Sequence, residues 1–247
     1  MGKKAHEKFA NEIKDMLEEI DETQTDKIVE AAEIVSDCIK KDGIVHTFGT
    51  GHSHMIAEEA FFRAGTLAPV NAILEPSLTG QQQVIKSTYT ERMEGWGEII
   101  LDYVDPDPKD VFIVISNSGR NAAPIELAQE AKVRSHKVIA ITSKTYSENV
   151  PSRHSSGKKL MDIAELVIDN CGKLGDISVE LEDLEPKVGP TSTITGVYIL
   201  DSIMVQAESN LSKKMEEPPV FWSGNLPQGM EKNEKFMKKY KDRIHNW

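Results

Sequence analysis

Two short stretches hold most of the groups suited to gripping an anion. The first is Gly49-Thr50-Gly51-His52-Ser53-His54, set between a short apolar run and a helical pattern. Glycines let a backbone pass close to a ligand and adopt positive φ. Ser53 falls at or near the N-cap of the following helix. There a hydroxyl, the first free N–H groups and the helix dipole converge on one point that favours negative charge. The second stretch is Ser116-Asn117-Ser118-Gly119-Arg120-Asn121, after the most apolar run in the chain. It gathers hydroxyl and amide side chains with a glycine in one turn, and Asn121 is a good N-cap. Either turn alone is also an ordinary capped helix start. Two of them at the carboxyl ends of parallel strands describe a phosphate cradle, because open α/β sheets bind ligands at that edge.

The elements that must position these turns are readable as alternating strands and helices. Ile44–Phe48, Val70–Leu74, Val111–Ile115, Val138–Ile141 and Glu165–Ile168 are short apolar runs with the look of buried strands. Helical patterns fall at 53–64, 93–103 and 120–134. That alternation predicts an α/β fold with a parallel sheet covered on both faces. Before it, Phe9, Ile13, Leu17 and Ile20 share one helical face. Ile28, Ala32, Val35 and Ile39 share another, with the polar stretch 21–25 between. This predicts a pair of lead-in helices over residues 1–42. The ligand-binding domain then spans 43–214. A loop and helix extension, 215–247, carries Phe221 and Trp222 and a Lys-rich helix over 230–244. Leu174–Pro190 reads as an irregular acidic excursion with an edge strand at 177–181, and Thr191–Leu211 as a buried helix, apolar nearly all round.

The bulk numbers narrow the partners. The chain has 247 residues and a net charge of −11. That excess of acid argues against nucleic acid, whose backbone recruits Lys and Arg. No window approaches the roughly 18 apolar residues of a membrane span, and no secretory signal follows Met1, so the expected location is the cytoplasm. Cys38 and Cys171 lack companions at metal-ligand spacing.

Taken together, the motifs resemble the sugar isomerase (SIS) domain superfamily over roughly residues 30–210. Gly49-Thr50-Gly51-His52-Ser53 is similar to its first glycine-serine turn, and Ile115–Asn121 to its serine-rich phosphate loop. Val138–Ser143 and Thr191-Ser192-Thr193 follow in the family's order. The resemblance implies a three-layer α/β/α, flavodoxin-like sheet of five parallel strands, ordered 2-1-3-4-5. It also implies a small sugar-phosphate ligand and a homodimer or homotetramer. Gly51, His52, Ser53, Ser116, Asn117, Ser118 and Asn121 would bind substrate and phosphate. The family usually has Thr or Ser where this chain has Asn121.

Ala57-Glu58-Glu59 resembles the Ala-Glu-Glu of the sedoheptulose-7-phosphate isomerases, where the second glutamate is a base. Glu59 is thereby the candidate base for proton transfer between C1 and C2 through an enediol. His154, in a polar loop, is a second catalytic candidate. Where those isomerases hold zinc through a His in this helix, this chain has Met55, so neither metal nor cofactor is expected. His52 or His54 is left to contact sugar hydroxyls. Glu180, Glu182 and Glu185 are candidates for a second acid or base, Arg63 for neutralising phosphate, and Phe221 and Trp222 for a lid or dimer contact. Ser118-Gly119-Arg120-Asn121 is also similar to a motif of the muramic acid 6-phosphate etherases. A lyase or deaminase therefore stands as an alternative to isomerisation. A non-catalytic sugar-phosphate sensor is the alternative of another class.

Overall fold

The computed structural model describes residues 4–244 and 246–247. The first helix, α1 (Ala5–Lys40), leads into β1 (Val45–Gly49), α2 (Ser53–Glu59), β2 (Val70–Ile73), α3 (Pro76–Thr79), α4 (Val84–Thr90) and α5 (Trp96–Val104). Then come β3 (Val111–Ile115), α6 (Ala122–Val133), β4 (Lys137–Thr142), α7 (Lys144–Glu148) and β5 (Leu166–Asp169). A small hairpin of β6 (Val179–Leu181) and β7 (Leu184–Val188) precedes α8 (Ser192–Ser212) and α9 (Gly229–Tyr240).

Strands β1 to β5 form one parallel sheet in the order β2-β1-β3-β4-β5. Its side chains alternate between two cores, as the period of two demands. Val45, Val111, Ile113, Ile139 and Ile141 face α1, α2 and α8. Phe48, Phe112, Val114, Val138 and Ala140 face α5 and α6. The five apolar runs of the sequence are therefore the five strands of a three-layer α/β/α fold.

Three expectations are corrected. The N-terminal segment is one helix of 36 residues, not two. Its polar middle is tied into the structure: Gln24 is buried, and its Oε1 accepts from the Asp169 backbone N–H at 3.1 Å. Thr23 and Thr25 bond back to the carbonyls of Glu19 and Asp21, so the hydroxyls join the helix rather than break it. The strand expected at the sheet edge pairs instead with β7 in a separate antiparallel hairpin. Phe221 is no lid: it is buried with Phe236, Tyr240 and Ile244 in a third core against Ile44 and Ala68, beside the amino ends of β1 and β2. Trp222 remains half-exposed, with Lys232 Nζ 3.4 Å above its ring.

Asp110 fastens this extension. It accepts from the Ile44 N–H at 2.7 Å and from Arg243 Nη2 at 2.6 Å. His46 Nδ1 accepts from Asn71 Nδ2, which leaves the proton on Nε2 to donate to Asp110 at 3.1 Å.

Candidate functional site

Gly49 and Ile115 are register partners at the carboxyl ends of β1 and β3, so the two turns leave the sheet side by side. In the first turn, a Cβ on Gly49 would stand 2.4 Å from the Ser53 carbonyl oxygen, which leaves room for glycine alone. His52 occupies the N-cap position, and Ser53 is the first helical residue rather than the cap. The buried His54 ring turns Nδ1 back to the Gly51 carbonyl. Thr50 Oγ1 donates to Glu91 Oε2 at 2.6 Å, joining the turn to the end of α4. A cavity of about 390 Å³ opens here, lined by Gly51, His52 and His54 and roofed by Thr79, Gly80, Ser87, Thr88 and Glu91.

The second turn is wound tightly on itself. Gly119 has φ +61°, a left-handed conformation, and its N–H donates to Ser116 Oγ at 3.2 Å. Asn117 fastens the turn to its neighbours: its carbonyl accepts from the Ser143 N–H at 3.0 Å and its Oδ1 from Asn170 at 2.9 Å. Ser118 stands half-exposed between them. Asn121 takes the extended N-cap conformation, but its side chain does not cap α6. Its Oδ1 accepts instead from Arg153 Nη1 at 2.8 Å. Ala123 donates to the Glu91 carbonyl and Pro124 has no N–H, so the start of α6 offers the turn the N–H groups of Asn121 and Ala122.

The loop after α7 closes over this corner. The Arg153 N–H donates to the Arg120 carbonyl at 2.8 Å. His154 Nε2 lies 3.5 Å from Glu126 and 3.9 Å from Glu94. These three side chains are the one group of potential metal donors found among the described residues. Both carboxylates are already engaged. Glu126 accepts from the N–H groups of Gly95 at 2.8 Å and Gly97 at 3.2 Å. Glu94 accepts from the backbone and hydroxyl of Ser155, bonds that lower its pKa. His154 thus pins the loop to α6 and to the segment before α5.

Glu59 lies elsewhere. It ends α2, ion-paired to Arg63, in an open groove with Phe61 and Phe62. Met55 lines both this groove and the cavity. Across from Glu59, burial raises the pKa of Asp201 on α8, and the Glu59 charge raises it further. Glu180, Glu182 and Glu185 sit on or beside the β6–β7 hairpin, where Glu180 pairs with Lys187, and the structure brings none of them to either turn. Glu91 and Arg153 are the polar groups that sequence reasoning missed. No motif marks them, since only the fold brings them to the turns.

A parallel sheet in this order, with two glycine-serine turns abreast at its carboxyl edge, defines a class of fold, and sequence comparison agrees: the chain belongs to the SIS domain family, which it matches over residues 8–143. Its relatives include the UPF0309 protein of Caldanaerobacter subterraneus, 43% identical over 96% of this chain and 98% of that one. The UPF0309 protein of Thermoanaerobacter pseudethanolicus is 45% identical over 96% and 97%. Among solved structures, phosphoheptose isomerase from Neisseria gonorrhoeae shares the fold with a TM-score of 0.53 at 17% identity, over 81% of this chain and 94% of that one. An Escherichia coli CFT073 protein in complex with A5P does so with a TM-score of 0.50 at 20% identity, over 85% and 90%. No helix of the described residues is long and apolar enough to cross a membrane.

Proposed function

We propose that the chain binds a phosphorylated sugar across the two turns and isomerises it between aldose and ketose. The observation that carries this reading is the pairing of Gly49 with Ile115, which sets Gly51–Ser53 beside Ser116–Asn121 at the edge where such sheets take ligands. Hydroxyls of Ser53 and Ser118 and the amino end of α6 suit a phosphate. The phosphoheptose isomerases that share this fold, and the A5P held by the Escherichia coli protein, support a phosphosugar as the ligand.

Isomerisation requires one proton to leave C2 and return at C1, while a hydroxyl proton moves from O2 to O1 by way of the enediol. Glu59 is the base in this reading. It lies four residues beyond Met55, on the same face of α2, and Met55 lines both the cavity and the groove that holds Glu59. Glu91, held by Thr50 on the cavity wall, orients the turn and contacts sugar hydroxyls. Self-association belongs to the same reading: Phe62 at the groove and Ile194 and Val205 on α8 stay exposed in the single chain.

Calorimetric titration with a panel of sugar monophosphates tests the binding. At least one should bind, and Ser118→Ala should weaken it about tenfold or more. Equal affinity in the variant would remove the phosphate from this turn.

A further inference from the structure

The six arginines of this acidic chain divide into two sets. Three are neutralised: Arg63 by Glu59, Arg134 by Asp102 at 2.6 Å and Arg243 by Asp110 at 2.6 Å. The other three, Arg92, Arg120 and Arg153, form no ion pair among the described residues, and they stand together at the second serine turn. Backbone geometry gathers them. Arg120 lies within the turn, and its carbonyl receives the Arg153 N–H at 2.8 Å. Arg92 follows Glu91, whose carbonyl receives the Ala123 N–H at 3.1 Å from the first turn of α6.

Such gathering has a cost. Burial, and then the charges of Arg120 and Arg92, lower the pKa of Arg153, against a smaller opposing pull from the nearby Glu91 carboxylate. Arg120 Nε is buried with no hydrogen-bond partner. A buried donor left unmade costs free energy, and native structures seldom leave one without a ligand or water to fill it. The Arg153 guanidinium is not loose either, since Asn121 holds Nη1. A fold with 40 acidic residues has every opportunity to pair these cations internally.

We propose that Arg92, Arg120 and Arg153 form a second anion site beside the serine turn, so that the ligand is a phosphosugar bearing a further oxyanion, a carboxylate or a second phosphate. This rests on the phosphosugar reading above and narrows its substrate class. Guanidinium forks match either oxyanion. The serine turn and the amino end of α6 take one end of the ligand, and the arginines take the other.

The test is a calorimetric titration of wild type, Arg153→Ala, Arg92→Ala/Arg153→Ala and Ser118→Ala with glucose 6-phosphate, 6-phosphogluconate and fructose 1,6-bisphosphate. Wild type should bind one or both of the doubly anionic probes at least about tenfold tighter than the monophosphate. The better of the two identifies the second group. The double variant should bring that ratio close to one. A wild-type ratio near one, or a ratio that survives the double substitution, overturns the second site while the phosphosugar reading stands. A preference that Ser118→Ala leaves intact with undiminished affinity keeps the arginine site and removes the phosphate from the serine turn. Failure of all three probes to bind wild type overturns both.

Discussion

The Thr50 hydroxyl donates to the Glu91 carboxylate at 2.6 Å, tying the loop that follows β1 to the end of α4 across 41 residues of sequence. Glu91 also presents its backbone carbonyl to the Ala123 N–H at the start of α6. One residue thereby couples both turns. Thr50→Val should cut this link and free the Glu91 carboxylate while leaving Glu91 and Glu59 in place. The expected result is a sugar-phosphate affinity weakened about three- to tenfold, with a loss of roughly 1 kcal/mol in unfolding free energy. Titration and urea unfolding check both.

Gly119 holds a left-handed φ of +61°, and an added Cβ would meet Thr142 Oγ1 at 3.1 Å. Gly119→Ala should cost about 1–2 kcal/mol for the backbone alone and should distort the turn whose N–H bonds to Ser116. Ligand affinity should fall further than stability does. Unchanged affinity in a folded variant would show that the turn does not touch the ligand.

Asp110 fixes the C-terminal extension to the sheet. Its burial works against its charge, but the bonds from His46, Ile44 and Arg243 outweigh that and hold its pKa below the ordinary value. The folded pKa is depressed, so this stabilisation is present above the unfolded carboxyl pKa and is lost as pH falls through the folded one. Asp110→Asn, which leaves a buried network with one partner changed, should lower stability by about 3 kcal/mol. It should also reduce the acid sensitivity of unfolding. Circular dichroism melts between pH 7 and pH 3 measure this.

Glu208 on α8 behaves in the opposite sense. Burial, and next the charge of Asp201, push its pKa up to about 7, and its Oε1 is buried without a partner. A carboxyl with a raised folded pKa keeps its proton in the native state while the unfolded chain loses it. Its contribution therefore disfavours folding increasingly as pH rises from the unfolded value toward about 7, and levels off above that. Glu208→Gln should be more stable than wild type at pH 8 and close to it at pH 4.5. Thermal unfolding at the two pH values decides.

Which features could be read in advance follows from how local their physics is. The strands β1, β2 and β3 were legible because each is buried on both faces, as Val111–Ile115 shows, and such a strand is a continuous apolar run; β4 is nearly so, and the edge strand β5 is fully buried on one face only. The two turns were legible because glycine and serine chemistry is written within a few residues. The unity of α1 was not, since the residue that carries the helix through its polar middle, Gln24, is engaged 145 positions away at Asp169. Asn121 read as a cap by type, but Arg153 takes its oxygen, and nothing near either residue announces the other. The same holds for Arg92, Arg120 and Arg153, three dispersed cations that become one patch only when the end of α4, the turn after β3 and the loop after α7 pack together.

The central claim is proton transfer on a phosphosugar held by the two turns. Its most direct test is incubation of the purified protein with sugar phosphates, doubly anionic ones included, in deuterated water, read by NMR at C1 and C2. The account predicts deuterium entering one of them with interconversion of aldose and ketose. Glu59→Gln should abolish the exchange while ligand binding persists, and Glu91→Gln should slow it. Tight binding of a phosphosugar with no exchange at either carbon would contradict the account and leave a sugar-phosphate sensor in its place.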